Sequence, residues 1–585
     1  MSNSISTSTP DNFKLSKVNI AKGNSKMKVA LGIHVGHDRG ACLIKDNKVI
    51  AAISNERLDR KKYSQSLELP FDSINALLTY CGISISNVKA IGLSGVAFEG
   101  DRMLDWYKNE FFDYYKCRYI PFYLVDHHDA HAYSTYFSSG QSDSLIFVFD
   151  GGGDLTPEMQ EAESIFIGYK GRVTLLDRRL QNMAVRHMKD EINHVFPLMP
   201  EYVQNLEMSI ARKYSQITRL LGFGFGEEGK TMGLASFGKP MLDFLDLKYD
   251  SLNYSLTYKD IIQDVYAMQQ RSNMNFREYI CSEYANIAAT AQSFVESSVI
   301  SIISAYVKKY NAKNICVAGG LFLNCLTNHK LVEKLDTNNI FFLPSSGDDG
   351  QALGSAYYAY IHEFGYNDKF QISLPYLGLS YSDDEIKTAI EKKGLKYHEY
   401  TESELATVLA DYISNNKIIA LHRGRTEIGP RALCHRSILA NPADPNMKDI
   451  LNSRVKHREP FRPFAPTVLE EEQFDYFDLK TSSPYMLLAA DVKEEYRLKL
   501  ASITHIDNTA RVQVVSKNVE PFIYDFLLEL KKRIGFPIVL NTSFNVAGQP
   551  IVESPLDALN TFLSTDIDIL AIGNCVIDKS IMLKQ

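Results

Sequence analysis

No CxxC pair occurs in this 585-residue chain, although it holds eight cysteines. That excludes the common paired-thiol zinc and redox motifs. The thiols are scattered, and most lie in apolar contexts such as Ile315-Cys316-Val317, which reads as buried cysteines in a reducing compartment. HExxH and GxSxG are absent. Gly222-Phe223-Gly224-Phe225-Gly226 is glycine-rich and leads into Gly229-Lys230-Thr231, but any nucleotide is expected to be held by other means. No apolar run approaches the roughly 18 to 20 residues that span a bilayer. The first 26 residues, rich in Ser, Asn, Thr and Lys, lack the apolar core of a secretory signal and read as a disordered tail. Basic excess is lacking too: the net charge of −7 gives no global drive toward nucleic acid or an anionic membrane. A cytoplasmic protein is expected.

What remains is an ordinary globular composition, 45% apolar and 23% charged, long enough to bury several cores. Lys28–Val35 reads as a buried strand, followed by the turn Gly36-His37-Asp38-Arg39-Gly40 and a hairpin, Ala41–Ile44 with Val49–Ser54. The same device returns at Ser144–Phe149, the turn Asp150-Gly151-Gly152-Gly153-Asp154, and a hairpin around Lys170-Gly171. Two copies suggest a duplicated domain with a cleft between its halves, the plan of actin-like and sugar-kinase-like ATPases. Residues 314–324 read as strand, Gly319-Gly320 turn and helix, and residues 341–361 read the same way. A boundary is expected near residues 371–380, before a C-terminal α/β unit of about 200 residues.

Four constellations carry chemistry. In Asp126-His127-His128-Asp129-Ala130-His131, His127 and His131 stand i and i+4 on one helix face, a metal-chelating spacing. A carboxylate should complete the site, and Asp348 in Ser345-Ser346-Gly347-Asp348-Asp349-Gly350 is the best candidate. Two histidines and one carboxylate suit Fe(II) or a similar divalent ion. The alternatives are a solvated helix for the histidines and a helix cap for Asp348 or Asp349. Second, Arg423, Arg425, Arg431, Arg436, Arg454, Lys456, Arg458 and Arg462 crowd a short region among Gly, Pro and Phe, which favours a small phosphorylated ligand over a solvated face. Third, Asn541-Thr542-Ser543-Phe544-Asn545 follows a buried strand; such small hydroxyls and amides can bind phosphate or a carbonyl, but on its own the segment reads as an ordinary turn. Fourth, His37 can take a proton from a hydroxyl nucleophile, or serve as a structural histidine.

Together His127–Ala132, Gly429-Pro430-Arg431-Ala432-Leu433, Arg462-Pro463-Phe464-Ala465-Pro466 and Asn541–Asn545 make the chain resemble the NodU/CmcH family of O-carbamoyltransferases, from about Lys28 to Ile577. The resemblance implies an actin-like domain over residues 27–372 and a YrdC-like α/β domain over residues 373–585. It implies ATP, with Mg2+, and carbamoyl phosphate as co-substrates, carbamoyl adenylate as intermediate and a small-molecule hydroxyl acceptor in specialised metabolism. Carried over by motif, His127, His131 and Asp348 would hold iron. Arg431, Lys456, Arg462, Arg511 and Ser543 would hold carbamoyl phosphate. Gly319, Gly320, Asn324 and Asn541 would bind nucleotide, and His37 would be the general base. Arg39-Gly40, Asp154 and Cys434-His435 depart from the family's usual residues. A threonylcarbamoyl-type tRNA-modifying enzyme and a non-catalytic actin-like nucleotide binder are the alternatives. No nucleic-acid or membrane partner is expected, and a homodimer is left open.

Overall fold

The protein is described by a computed structural model over residues 27–95, 101–117, 119–154, 159–182, 208–241, 245–250, 253–258, 283–337, 339–365, 370 and 374–582. The expected tail, residues 1–26, and part of the expected boundary, residues 371–373, lie outside the described residues.

Five strands form the first sheet: β1 (Val29–Val35), β2 (Gly40–Lys45), β3 (Lys48–Ser54), β4 (Ala90–Gly95) and β5 (Phe122–Leu124). Their order is β3-β2-β1-β4-β5, with β1–β3 antiparallel and β1, β4 and β5 parallel. A second sheet holds β6 (Asp143–Phe149), β7 (Met159–Tyr169) and β8 (Arg172–Asn182), while β9 (Leu245–Asp250) and β10 (Asn253–Tyr258) pair apart as a hairpin. β11 (Asn314–Ala318) and β12 (Asn339–Phe342) complete the second sheet in the order β12-β11-β6-β7-β8. Strand for strand this is the first sheet again, so the duplicated actin-like plan is present. The two strand–glycine–helix units at residues 314–361 are not further copies of the hairpin device; they supply the parallel fourth and fifth strands of the second sheet.

Between the sheets lie helices His127–Ser139 and Gln351–Phe364, packed on each other and on β1, β4 and β6. The close packing depends on glycine. Gly32 and Gly92 are register partners on β1 and β4, and a Cβ on either would lie 2.0 Å from a carbonyl oxygen of helix Gln351–Phe364. This wedge carries His127, His131 and the Asp348 loop into the cleft between the halves.

Helix Glu283–Tyr310 contains one 18-residue window apolar enough, by composition, to cross a membrane, contrary to the sequence expectation. Ala, Ile and Val raise its hydropathy, and 67% of that window is buried against the second sheet's core.

The C-terminal part is one mixed ten-stranded sheet, built from β13 (His398–Glu399), β14 (Ile419–His422), β15 (Arg436–Ala440), β16 (Ala465–Leu469), β17 (Phe477–Asp478), β18 (Leu488–Val492), β19 (Thr509–Val515), β20 (Ile538–Ser543), β21 (Ile569–Ile572) and β22 (Cys575–Asp578). Apolar cores cover both its faces. Loop segments cross between the N- and C-terminal parts. Phe461 is buried in the second sheet's core, the Arg57 guanidinium donates to the Gly429 carbonyl, and Arg60 donates to the carbonyls of Pro550 and Ile551.

Candidate active site

In the helix His127–Ser139, His127, His128 and His131 are buried while Asp129 between them is half-buried, so the three histidines are not solvated. His127 Nε2 lies 3.4 Å and His131 Nε2 3.2 Å from Asp348 Oδ1. Asp150, at the end of β6, joins them, with Oδ2 3.5 Å from His127 Nε2. One ligand atom from each of these four residues falls within 4.8 Å of the others. The expected set of two histidines and one carboxylate is therefore extended by a second carboxylate. Its signal was the Asp-Gly-Gly-Gly turn, which the duplication sets opposite Gly36-His37-Asp38. His34 on β1 also escaped sequence reading; it is buried, its Nε2 4.0 Å from Asp348 Oδ2 and its Nδ1 beside Ser94 Oγ. Nothing in the strand pattern separates it from a core residue.

The donor set fits a divalent cation. His127 Nδ1 donates to the Gly95 carbonyl at 3.0 Å, which turns the lone pair of Nε2 toward the carboxylates. His127 Nε2 and Asp348 Oδ2 are buried without a hydrogen-bond partner, a cost that an ion between them removes. Burial alone would raise the pKa of Asp150 and Asp348, but the neighbouring histidines hold both carboxylates ionised. His128 points away, to Ser164 Oγ at 2.7 Å, and burial lowers its pKa to about 4.

His37 sits at the cleft mouth. Its Nε2 is 3.0 Å from Asp348 Oδ2 and its Nδ1 3.1 Å from Asp38 Oδ2. Burial opposes its charge, but Asp348 and Asp38 outweigh that and lift its pKa to about 9. The ring of Phe225, from the glycine-rich loop, stands edge-on to His37 at 5.7 Å and is 54% exposed, so it walls the mouth.

Of the expected nucleotide residues, the structure brings three together beside this cluster. Gly319 adopts φ 99° and ψ 153°, a glycine conformation, and a Cβ there would lie 2.3 Å from the Phe149 carbonyl oxygen. The Gly320 amide donates to Asp150 Oδ1 at 2.7 Å, tying the turn to the carboxylate. Asn324 caps helix Cys325–Lys334 through the Thr327 amide and exchanges hydrogen bonds with Gln292. Asn541 does not join them. It is buried in β20, donating to Gln513 Oε1 and Thr467 Oγ1 behind the Arg431 loop.

The cationic block divides. Arg423 stacks on Phe522 and pairs with Glu402; Arg425 and the buried Arg436 donate to backbone carbonyls; Arg454 donates to the Asp566 carbonyl. These hold the fold. Arg431, Lys456, Arg458, Arg462 and Arg511 instead form a mutually repelling group. Burial and Arg511 depress Arg431 to a pKa of about 9, and burial with Arg458 and Arg462 lowers Lys456. Arg431 and Arg511 have no carboxylate partner among the described residues, and the Nε of each is buried without an acceptor. Lys456 reaches Ser543 and Asn545, so the Asn541–Asn545 loop does face this pocket. Cations this concentrated, with Glu459 beside Arg462 as a carboxylate among them, favour an anion. The group touches the other site: an Arg431 Nη donates to the Leu323 carbonyl, in the turn that follows Gly319-Gly320.

Residues 29–120 and 102–357 match the family described as Carbamoyltransferase N-terminus, and residues 410–579 match Carbamoyltransferase C-terminus. The nodulation protein NolNO of Sinorhizobium fredii is 32% identical over 93% of this chain and 79% of its own length. The uncharacterized protein sll1178 of Synechocystis sp. is 30% identical over 93% of this chain and 95% of its own. Among solved structures, full-length HypF in its phosphate- and nucleotide-bound form has 16% identity and a TM-score of 0.38, over 58% of this chain and 56% of that one. A ROK hexokinase from Thermus thermophilus has 14% identity and a TM-score of 0.31, over 57% of this chain and 99% of that one. At these scores neither adds to the fold described above. The matched halves and the relatives spanning most of the chain establish that this protein belongs to the carbamoyltransferase family and is an enzyme of carbamoyl transfer.

Proposed function

We propose that the protein is an ATP-dependent O-carbamoyltransferase working at two sites in one chain. The observation that carries this reading is the cation group Arg431, Lys456, Arg458, Arg462 and Arg511, in which Glu459 beside Arg462 at 3.9 Å is outnumbered and the Nε of Arg431 and of Arg511 has no acceptor, abutting a separate His–Asp cluster across the Leu323 turn. Residues 373–585 form the activating domain and residues 27–372 the transfer domain. In the first, Arg431, Lys456, Arg462, Arg511 and Ser543 bind carbamoyl phosphate, whose dianion their charge matches. Water cleaves it to carbamate and phosphate. Carbamate oxygen then attacks the α-phosphorus of ATP, giving carbamoyl adenylate and pyrophosphate. Adenylation supplies the leaving group that carbamate lacks.

The adenylate passes across the seam to Gly319, Gly320 and Asn324. His127, His131, Asp150 and Asp348 would hold a divalent ion, Fe(II) in our reading, and it would supply Lewis acidity to the transfer. Were Asp348 a ligand of that ion, its carboxylate would no longer hold a proton on His37. Its Nε2 then accepts the proton of a small-molecule hydroxyl, whose oxygen attacks the carbamoyl carbon and releases AMP. Phe225 and Tyr63, whose rings meet edge to face at 5.7 Å, wall this entrance.

Mass spectrometry of the protein incubated with ATP, Mg2+ and carbamoyl phosphate, without acceptor, tests the proposal. Carbamoyl adenylate appearing only with both substrates is the expected result. ATP cleaved to ADP, or no adenylate from folded, metal-loaded protein, would overturn it.

A further inference from the structure

A second group of metal-binding side chains lies away from the cleft, at the far end of the helix Cys325–Lys334 that Asn324 caps. His329 and Glu333 stand i and i+4 on this helix, and the helix packs on β18 of the C-terminal sheet. There Asp491 faces them, and ligand atoms of His329, Glu333 and Asp491 lie within 4.8 Å of one another. We propose that His329, Glu333 and Asp491 bind a divalent cation of the zinc class, which keys the N-terminal helix to the C-terminal sheet.

Geometry carries the proposal. His329 Nε2 and Glu333 Oε1 are 3.3 Å apart. A tetrahedral ion with ligand bonds of about 2.0 to 2.1 Å sets neighbouring ligand atoms about 3.3 Å apart. No hydrogen bond joins His329 and Glu333, although their atoms are this close. Asp491 is held in the ladder by its backbone, and its carboxylate makes neither a hydrogen bond nor an ion pair among the described residues. His329 is buried, while Glu333 and Asp491 are half-buried, as expected for a site at a seam. A cavity of about 210 Å³, lined in part by His329, Glu333, Asp478 and Lys480, adjoins the group and has room for the waters that complete the shell.

Two lysines stand nearby and leave the ligand atoms free. Lys330 Nζ lies 3.0 Å from Glu333 Oε2, the oxygen turned away from His329, and Lys480 Nζ donates to the Glu333 main-chain carbonyl at 2.8 Å. The placement gives the ion a task. The opposite end of this helix begins at Asn324 and Cys325, beside the nucleotide turn, and β18 pairs with β19, which carries Arg511. One cation would thus fix the spacing between an element of each site.

Zinc stoichiometry is the test. Chelated wild type, Asp491→Asn, His329→Gln and His131→Ala are loaded with Zn2+, desalted and assayed for metal, with melting temperature followed against Zn2+. Circular dichroism checks that each variant is folded. Two equivalents are expected in the wild type. Asp491→Asn and His329→Gln should each lose about one and lose part of the zinc-dependent rise in melting temperature. His131→Ala should lose the other equivalent and keep the one at His329. A single equivalent in the wild type, lost in His131→Ala, would overturn the proposal. So would full stoichiometry in Asp491→Asn and His329→Gln.

Discussion

At the residue scale, the two sites make opposite demands on charge. At the cleft, buried carboxylates and imidazoles converge with orphaned atoms between them, so removing one donor should release the ion. His131→Ala is expected to lose the bound metal, read by elemental analysis, and to lose carbamoyl transfer. In the C-terminal pocket, guanidinium groups repel one another until an anion arrives. Arg462→Ala should lower adenylate formation by about 100-fold, by analogy with removing one preorganised donor from a charged site, with Km for carbamoyl phosphate raised. His127, His131 and Asp348 were legible from spacing and motif. Asp150 was visible only as part of a turn, because its role depends on the second sheet's register with the first. The split of the arginine block was not legible either, since Arg425 and Arg431 differ in what they touch and not in local sequence.

At the scale of elements, the strand–glycine turn positions the chemistry twice. Gly319 is the tightest case. Gly319→Ala combines a glycine-only backbone with a methyl group against the Phe149 carbonyl, and should cost about 1 to 3 kcal/mol. Chemical denaturation measures that loss, and nucleotide affinity should fall with it. The turn at Asp507 makes a second prediction. Burial alone would raise the Asp507 pKa, but His505, the Ser236 hydroxyl and Thr509 hold it well below the usual carboxylate range. A depressed folded pKa stabilises the protein above the unfolded value, about 3.9, and the contribution is lost as pH falls through the folded one. Melting temperature against pH should therefore drop on the acid side, and Asp507→Asn should flatten that limb. The long elements, such as the strand Asp143–Phe149 and the helix Glu283–Tyr310, could be read from periodicity. Strands β15, β16 and β21 could not, because they are short and buried throughout, with no alternation to mark them.

At the scale of the whole molecule, the duplicated unit and the ten-stranded sheet meet where their sites meet. Segments of each are buried in the other: Phe461 in the second sheet's core, and Arg57 and Arg60 on C-terminal carbonyls. This arrangement suits an intermediate made on one side and consumed on the other. The doubling of strand and glycine turn was legible in the sequence. The seam was not, because its contacts join residues hundreds of positions apart. The central claim is that activation and transfer occupy separate residues, and one measurement addresses it most directly: first-turnover pyrophosphate release from ATP, with and without carbamoyl phosphate, in wild type, His131→Ala and Arg511→Gln. The account predicts release that needs carbamoyl phosphate, persists in His131→Ala and is lost in Arg511→Gln. Release that ignores carbamoyl phosphate, or that both variants abolish alike, would contradict it.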